Sequence, residues 1–235
     1  MLSRAEIKDA FVTSLPIVAG YVAIGIPCGI LEQQIGMDWL QAFLISVVFY
    51  SGAGQFMIPG MMLAGNPLAA IIASVSFVNT RQVLYSASLS EYCQQAGKKL
   101  AFLFAAGVTD ESFGVNIQRF RCGDWKVSQA LAVNIFCCTS WSVSNALGVV
   151  LGNLIALPVA IGMFAMTSIF ICLLFSQTFN ATTVLVAVMA AVGVIVCKLV
   201  GLTGPAILIG ALVGIACGLV KNARDERKGV LDGVE

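Results

Sequence analysis

Long apolar stretches follow one another along almost the whole chain, and each is long enough to cross a lipid bilayer as a helix, which takes about 20 residues. Of the 235 residues, 59% are hydrophobic and only 11% are charged, and the mean hydropathy is +0.94. A typical soluble domain carries about 25% charged residues, and the strands of a membrane barrel alternate polar and apolar residues over about 10 positions. The sequence therefore predicts an all-α, polytopic integral membrane protein.

Turn residues and polar breaks divide the chain into about eight predicted transmembrane helices, with seven as the alternative. The predicted segments are 11–31, 39–64, 68–90, 100–118, 127–151, 154–175, 181–199 and 202–220. Glu32 and Asp38 are expected to bracket the first loop. We expect a single transmembrane domain, 1–220, and a charged cytoplasmic tail, 221–235. Most Lys and Arg residues fall on the side of the N-terminus, so the positive-inside rule predicts that both termini lie in the cytoplasm.

The first two predicted helices contain residues that weaken a helix. The first holds Pro16, Pro27 and several glycines, so we expect it to be kinked or interrupted. The second meets the segment Ser51-Gly52-Ala53-Gly54-Gln55, which places two glycines and an amide side chain inside an apolar run. We expect a discontinuous helix here, with free backbone amides and carbonyls inside the membrane.

Three charged residues, Arg81, Asp110 and Glu111, lie in the middle of predicted membrane helices. Arg81, Asp110 and the Gln55 amide each lie about 15 Å from a helix end, near the middle of a hydrocarbon core of about 30 Å. A charge at that depth costs about 3 kcal/mol, so we expect Arg81 to pair with a carboxylate of the next helix. Because Asp110 and Glu111 diverge by about 100° around a helix, both cannot face Arg81 well, and the sequence leaves open which one does.

Two interpretations of this polar level are open. In the first, Arg81 forms a structural ion pair while the second carboxylate faces water. In the second, the level is a binding site, in which Arg81 and the amide end of a half-helix bind the carboxylate of a zwitterion, and Asp110 or Glu111 binds its ammonium group. Alternatively, Asp110 or Glu111 exchanges protons and couples export to the proton gradient.

These interpretations define two groups of candidate residues. The candidate substrate-binding residues are Ser51, Gly52, Gly54, Gln55, Asn79, Arg81, Asp110 and Glu111. The candidate supporting residues around them are Gln82, Tyr85, Thr109, Ser112, Trp141 and Asn145. Trp141 and Asn145, four positions apart, either line the site or form a hydrogen bond between helices.

Several functional classes have no support in the sequence. It contains no histidine, and its eight cysteines form no C-x-x-C pair. We therefore predict no enzyme active site, no metal site and no cofactor. A net charge of +1 offers no basic face, so we expect no nucleic-acid partner.

Four motifs resemble one family of transporters. They are LPIVAGYVAIGIPCG at 15–29, FYSGAGQF at 49–56, FVNTRQVLYSASL at 77–89 and VTDESFGV at 108–115. They resemble the AzlC family, the large subunits of bacterial branched-chain amino acid exporters, over roughly residues 10–120. The resemblance implies export of Val, Leu, Ile or a similar apolar amino acid such as Met across the inner membrane. It also implies a small AzlD-type membrane subunit as protein partner, and both subunits are expected to contact membrane lipid.

The resemblance also assigns residues. The family's A-Q-F, N-x-R and D-E-S motifs fall on Gln55 and its neighbours, on Asn79 and Arg81, and on the segment 110–112. Where family members commonly have N-x-R-H, this chain has Gln82, so a carboxylate must carry any coupling proton. The alternative functions are an oligomeric ion-conducting channel built around the SGAGQ segment and a membrane assembly subunit that transports nothing.

Overall fold

A computed structural model describes residues 2–123, 125–154, 180–201 and 206–232, together with residues 164, 167, 168 and 171. This part of the chain is helical and contains no strand. Its helices are α1 (Arg4–Gln34), α2 (Trp39–Phe49), α3 (Gly52–Leu63), α4 (Leu68–Leu89), α5 (Lys98–Ala106), α6 (Asp110–Arg121), α7 (Val127–Leu154), α8 (Ala181–Leu199) and α9 (Ala206–Asp232). A 3₁₀ turn, Ser90–Cys93, follows α4.

The fold class expected from the sequence is confirmed. Among the described helices, four are long and apolar enough to cross a membrane, namely α1, α4 with its 3₁₀ turn, α7 and α8. The predicted segments 127–151 and 181–199 correspond closely to α7 and α8. The predicted segment 154–175 lies almost entirely outside the described residues. The last helix, α9, continues to Asp232, so the expected charged tail is helical over most of its length.

The prolines of the first helix led us to expect a kinked or interrupted helix, and the structure shows no interruption. It runs from Arg4 to Gln34 through both Pro16 and Pro27. Its start is stabilised by a capping box, in which Ser3 and Glu6 bond each other's backbone amides. A proline costs about 3 kcal/mol inside an isolated helix. Tertiary packing supplies most helical stability in proteins, and α1 packs closely on α7 for most of its length.

The close contact between α1 and α7 depends on three glycines. A Cβ atom added to Gly29 would lie 2.0 Å from the backbone oxygen of Asn145, and one added to Gly148 would lie 2.3 Å from the backbone oxygen of Ile26. At Gly25, it would lie 2.7 Å from a Ser144 side-chain carbon. The two backbones therefore touch, as small residues allow between membrane helices.

The predicted discontinuity of the second helix is confirmed, but it is shorter than the expected segment 51–55, because the residues from Gly52 onward belong to α3. α2 ends at Phe49 and α3 begins at Gly52, so the break falls on Tyr50 and Ser51. The Gly54 amide donates to the Ser51 hydroxyl oxygen over 3.2 Å, which caps α3. A Cβ atom on Gly54 would lie 2.7 Å from that oxygen and 3.1 Å from the Phe49 ring, so the cap requires glycine at this position.

The prediction of one continuous helix over 100–118 is wrong. The chain leaves helical conformation after α5 and starts again at α6, with Thr109 as N-cap. Thr109 and Ser112 form a reciprocal capping box, which satisfies two of the amides that a helix start leaves free. Asp110 and Glu111 therefore occupy the first turn of α6 rather than the middle of a longer helix.

The chain forms two compact units, one of Met1–Leu63 with Val78–Ser168 and the other of Ala64–Phe77 with Ile169–Glu235. In the second unit, α8 packs against α9 through glycines. A Cβ atom on Gly210 would lie 2.8 Å from the backbone oxygen of Ala190, and one on Gly214 would lie 2.9 Å from that of Val186. All the candidate functional residues belong to the first unit.

Candidate functional site

Arg81 on α4 forms an ion pair with Asp110, the first residue of α6. Their closest atoms, Nη2 and Oδ2, are 2.8 Å apart, and the side chains are 28% and 22% exposed. The expected pairing of Arg81 with a carboxylate is therefore observed. The Arg81 Nε and the Asp110 Oδ1 are buried and form no hydrogen bond with any described residue. This ion-pair site, Arg81 with Asp110, thus retains one donor and one acceptor.

Glu111 points to a different helix. Its Oε2 accepts a hydrogen bond of 2.7 Å from the hydroxyl of Tyr21 on α1, and that hydroxyl also lies 2.8 Å from Thr109 Oγ1. The Tyr21 side chain is buried, whereas Glu111 is exposed. The offset of about 100° between adjacent helical positions separates the two acids. Both carboxylates lie at a helix N-terminus, where the helix dipole favours negative charge.

The break between α2 and α3 contacts α4 at two residues close to Arg81 in sequence. The Ser51 hydroxyl donates to Asn79 Oδ1 over 2.6 Å, and the Gln82 amide donates to the Tyr50 backbone oxygen over 3.4 Å. Arg81 stands between Asn79 and Gln82 on α4. The break and the start of α6 therefore each contact the middle of α4, and Gly52 is the first residue of α3.

Tyr85 completes this side of the ion-pair site. Its ring stacks on Phe113 of α6, with ring centroids 4.7 Å apart and an interplanar angle of 21°. Tyr85 therefore fixes one wall of the site through packing between α4 and α6.

The Gln55 side chain points away from Arg81 into a separate buried network. Its Oε1 accepts a bond of 2.8 Å from Trp141 Nε1, and its Nε2 donates over 2.6 Å to both Glu32 Oε1 and Ser46 Oγ. All four side chains are buried. We call Glu32, Ser46, Gln55 and Trp141 the Glu32 network.

Glu32 was missed as a functional candidate, because its place near the end of an apolar run suggested a loop position. It lies in the last turn of α1 and is only 1% exposed. The sequence signal for its burial is its spacing from Gly25 and Gly29. These glycines and Glu32 share one helix face, and small residues on one face indicate the side that packs against another helix.

The two supporting residues of α7 behave differently. Trp141 bonds another helix through Gln55, as one of the two alternatives predicted. Asn145 instead donates to the Trp141 backbone oxygen of its own helix over 2.8 Å, and its Oδ1 has no partner in the described chain. Trp141 also packs edge-on against Tyr21, with ring centroids 5.4 Å apart. Trp141 is therefore the member of the Glu32 network that also contacts Tyr21, the hydrogen-bond partner of Glu111.

The other ion pairs of the described residues lie near the start of α1. Arg119 pairs with Asp9, and Lys126 pairs with Glu6 over 2.6 Å. Among the described residues, no three His, Cys, Asp or Glu side chains come together as a metal site. Of the ion pairs among the described residues, only that of Arg81 with Asp110 includes a residue of α4.

Comparison with known proteins places these features in a family. The family model described as AzlC protein matches residues 16–155, a region that contains every candidate residue. Inner membrane protein YgaZ of Escherichia coli is 37% identical over 101 residues, which cover 43% of this chain and 41% of that protein. The branched-chain amino acid transport protein AzlC of Bacillus subtilis is 31% identical over 113 residues, covering 48% and 44%.

A longer alignment is found with a membrane protein of Helicobacter pylori. It is 28% identical over 177 residues, which cover 75% of this chain and 77% of that protein. The aligned region spans less than half the length of the Escherichia coli and Bacillus subtilis relatives. No solved structure matches the chain.

Proposed function

Because the chain belongs to the AzlC family, we propose that it is a transporter subunit that exports branched-chain amino acids or similar apolar ones such as Met. The observation that carries this proposal is the ion-pair site, which retains the Arg81 Nε donor and the Asp110 Oδ1 acceptor. A free amino acid brings one carboxylate and one ammonium group, which complement that donor and that acceptor. The similarity to the branched-chain amino acid transport protein of Bacillus subtilis supports the substrate class.

In the proposed binding mode, the substrate carboxylate bonds the guanidinium of Arg81. The amide end of α3, which begins at Gly52, adds the positive end of a helix dipole. The ammonium group bonds Asp110, with Glu111 as a second anionic partner. Apolar side chains around the site, such as Phe113, receive the substrate side chain.

A purely structural role for the ion-pair site leaves its two unbonded polar atoms without an explanation. Removing two charges from water costs several kcal/mol per ion, and the pair compensates for this only when additional hydrogen bonds satisfy its remaining atoms. The Arg81 Nε and the Asp110 Oδ1 lack such bonds among the described residues. A ligand that supplies both partners accounts for an arrangement that is otherwise unfavourable.

For proton exchange at the substrate site, Glu111 is better suited than Asp110. Asp110 is held by Arg81, so protonating it would break the ion pair. Glu111 is bonded by the neutral Tyr21 hydroxyl, so its charge can change while the ion pair persists. We therefore assign the exchanging role at this site to Glu111.

The proposed setting follows from the family and the charge pattern. We propose a bacterial inner membrane location with both termini in the cytoplasm, on the basis of the positive-inside rule. A small AzlD-type membrane subunit is the proposed partner, on the basis of the family resemblance. Transport without catalysis is the proposed activity, and the chain is proposed to need no cofactor.

The test is amino acid counterflow in proteoliposomes. Vesicles loaded with unlabelled leucine should accumulate labelled leucine, valine or methionine through the protein, reconstituted with and without the small subunit. We expect Arg81→Gln and Asp110→Asn to abolish this exchange. The matched controls are Arg119→Gln and Asp9→Asn, which remove the other Arg–Asp pair and should leave exchange intact.

The outcomes separate the alternatives. If Arg81→Gln and Asp110→Asn proteins insert normally and exchange at the original rate, the substrate site lies elsewhere. A channel would give conductance without saturable exchange. An assembly subunit that transports nothing would give neither signal.

A further inference from the structure

Glu32 is a buried carboxyl group that the substrate site does not use. It is 1% exposed, and it takes part in none of the ion pairs formed by described residues. Its Oε1 accepts one bond, from Gln55 over 2.6 Å, and its Oε2 forms none within the described chain. A buried carboxylate without a positive partner is strongly disfavoured relative to the neutral acid.

Among the described residues, the groups around Glu32 carry no positive charge. From α1 itself, the facing titratable group is the buried thiol of Cys28, one turn earlier. From α3, the Gln55 amide bonds Glu32. Ser46 of α2 and the Trp141 indole of α7 reach the network by bonding Gln55. Asp38, the next acid along the chain, is bonded to the start of α2. The described residues therefore offer Glu32 a hydrogen bond but no counter-charge.

Hydrogen-bond directions limit what the network can donate to Glu32. An indole N–H can only donate, so the Gln55 oxygen must face Trp141 and its amino group must face Glu32 and Ser46. The Ser46 hydroxyl donates to the Ala42 backbone oxygen over 2.7 Å. One N–H thus remains for the carboxyl group, whereas a well-stabilised buried carboxylate accepts two or three. The last turn of a helix also disfavours an anion.

We propose that Glu32 is a proton-binding site, protonated while α1, α2, α3 and α7 pack as in this structure and deprotonated when they separate and water reaches it. This inference rests on the proposed transport function, because it assigns to Glu32 a second coupling proton, in addition to the one proposed for Glu111. A conformation that dehydrates a carboxyl group binds a proton more tightly than one that hydrates it. Proton binding and helix packing therefore shift each other's equilibrium.

A continuous set of contacts connects this proton site to the substrate site. Gln55 bonds both Glu32 and Trp141, and Trp141 packs against Tyr21, whose hydroxyl bonds Glu111. Tyr21 and Glu32 lie 11 positions apart on α1, which corresponds to about 16 Å along the helix. Separation of the helices around Glu32 moves Trp141, the residue that bonds Gln55 in the Glu32 network and packs against Tyr21 beside the substrate site.

The transport test compares two assays on Glu32→Gln, a permanently neutral side chain of similar shape. Counterflow needs no net proton movement and should persist, whereas accumulation of labelled leucine driven by a pH gradient should be lost. The matched control is Asp38→Asn, which removes the neighbouring exposed carboxylate and should keep both activities. Full gradient-driven accumulation by Glu32→Gln would overturn the proposal. A wild-type protein without counterflow would instead refute the proposed function.

Infrared spectroscopy tests the proton site independently of transport. The purified wild-type protein at neutral pH should show the carbonyl stretching band of a protonated carboxyl group. Glu32→Gln should remove that band and Asp38→Asn should retain it. If Glu32→Gln fails to insert, Glu32→Asp should shift the band. A band unaffected by these Glu32 variants, or the absence of any such band, would overturn the proposal.

Discussion

Among the described glycines, Gly29 on α1 leaves the least room for a side chain, because it lies against the backbone of α7. Gly29→Ala should therefore disrupt this contact. The added Cβ atom would lie 2.0 Å from the Asn145 oxygen, 2.8 Å from the Asn145 carbonyl carbon and 2.9 Å from Gly148 Cα. All three are backbone atoms, which cannot rotate away. To reach an ordinary contact of 3.4 Å, α1 and α7 must move apart by about 1.4 Å locally.

Overpacking of this kind costs about 1 to 3 kcal/mol, and occasionally more. Because the helices contact each other along most of their length, we expect a cost at the upper end of that range. Gly20→Ala on the same helix is the matched control, since its Cβ atom would meet nothing within 4 Å. Replacing glycine by alanine in an open helical position should stabilise the protein by up to about 1 kcal/mol.

The assay is thermal denaturation in detergent, followed by the fraction of protein that remains monodisperse. Gly29→Ala should lower the midpoint by several degrees, whereas Gly20→Ala should leave it unchanged or raise it. Counterflow should fall in Gly29→Ala, because the shift displaces Tyr21 from Glu111. Equal midpoints for the two variants would refute the packing of α1 against α7 described above.

Three further substitutions test the hydrogen bonds around the site. Trp141→Phe removes the donor to the buried Gln55 oxygen, so the free energy of unfolding in detergent should fall by about 1 to 3 kcal/mol. Tyr21→Phe removes the donor to Glu111 and should lower the free energy of unfolding by about 1 kcal/mol. It should also shift the pH profile of counterflow, which the loss of a purely structural hydroxyl would leave unchanged. Ser51→Ala removes the cap of α3 and should lower the denaturation midpoint by the equivalent of about 1 kcal/mol.

Hydropathy and turn residues predicted the helical fold because membrane length and backbone hydrogen bonding leave few alternatives. The segment 181–199 matched α8 at both ends, since Asn180 is an N-cap residue and Gly201 adopts a positive φ of 86° after the helix. The break at Tyr50 and Ser51 was also predictable, because two glycines followed a serine there.

The errors have two causes, namely tertiary contacts that outweigh the local pattern and one local capping signal inside an apolar run. Pro16 and Pro27 weaken an isolated helix, but the α1–α7 contact holds α1 continuous. The break before α6 has a local sequence signal, because Ser112 stands three positions after the N-cap residue Thr109, as in a capping box. The apolar residues on either side of this pair favoured a continuous helix instead. Glu32 was assigned to a loop because its burial depends on α3 and α7, which are distant in sequence.

The central claim is that Arg81 binds the carboxylate of an amino acid, and the most direct measurement is the binding of leucine and of leucinol to purified protein. Leucinol lacks the carboxylate and retains the ammonium group and the side chain. A charged hydrogen bond contributes about 1.5 to 3 kcal/mol, so the wild type and Arg119→Gln should bind leucine about 10 to 100 times more tightly than leucinol. In Arg81→Gln that ratio should fall close to one. An unchanged ratio in Arg81→Gln would contradict the account.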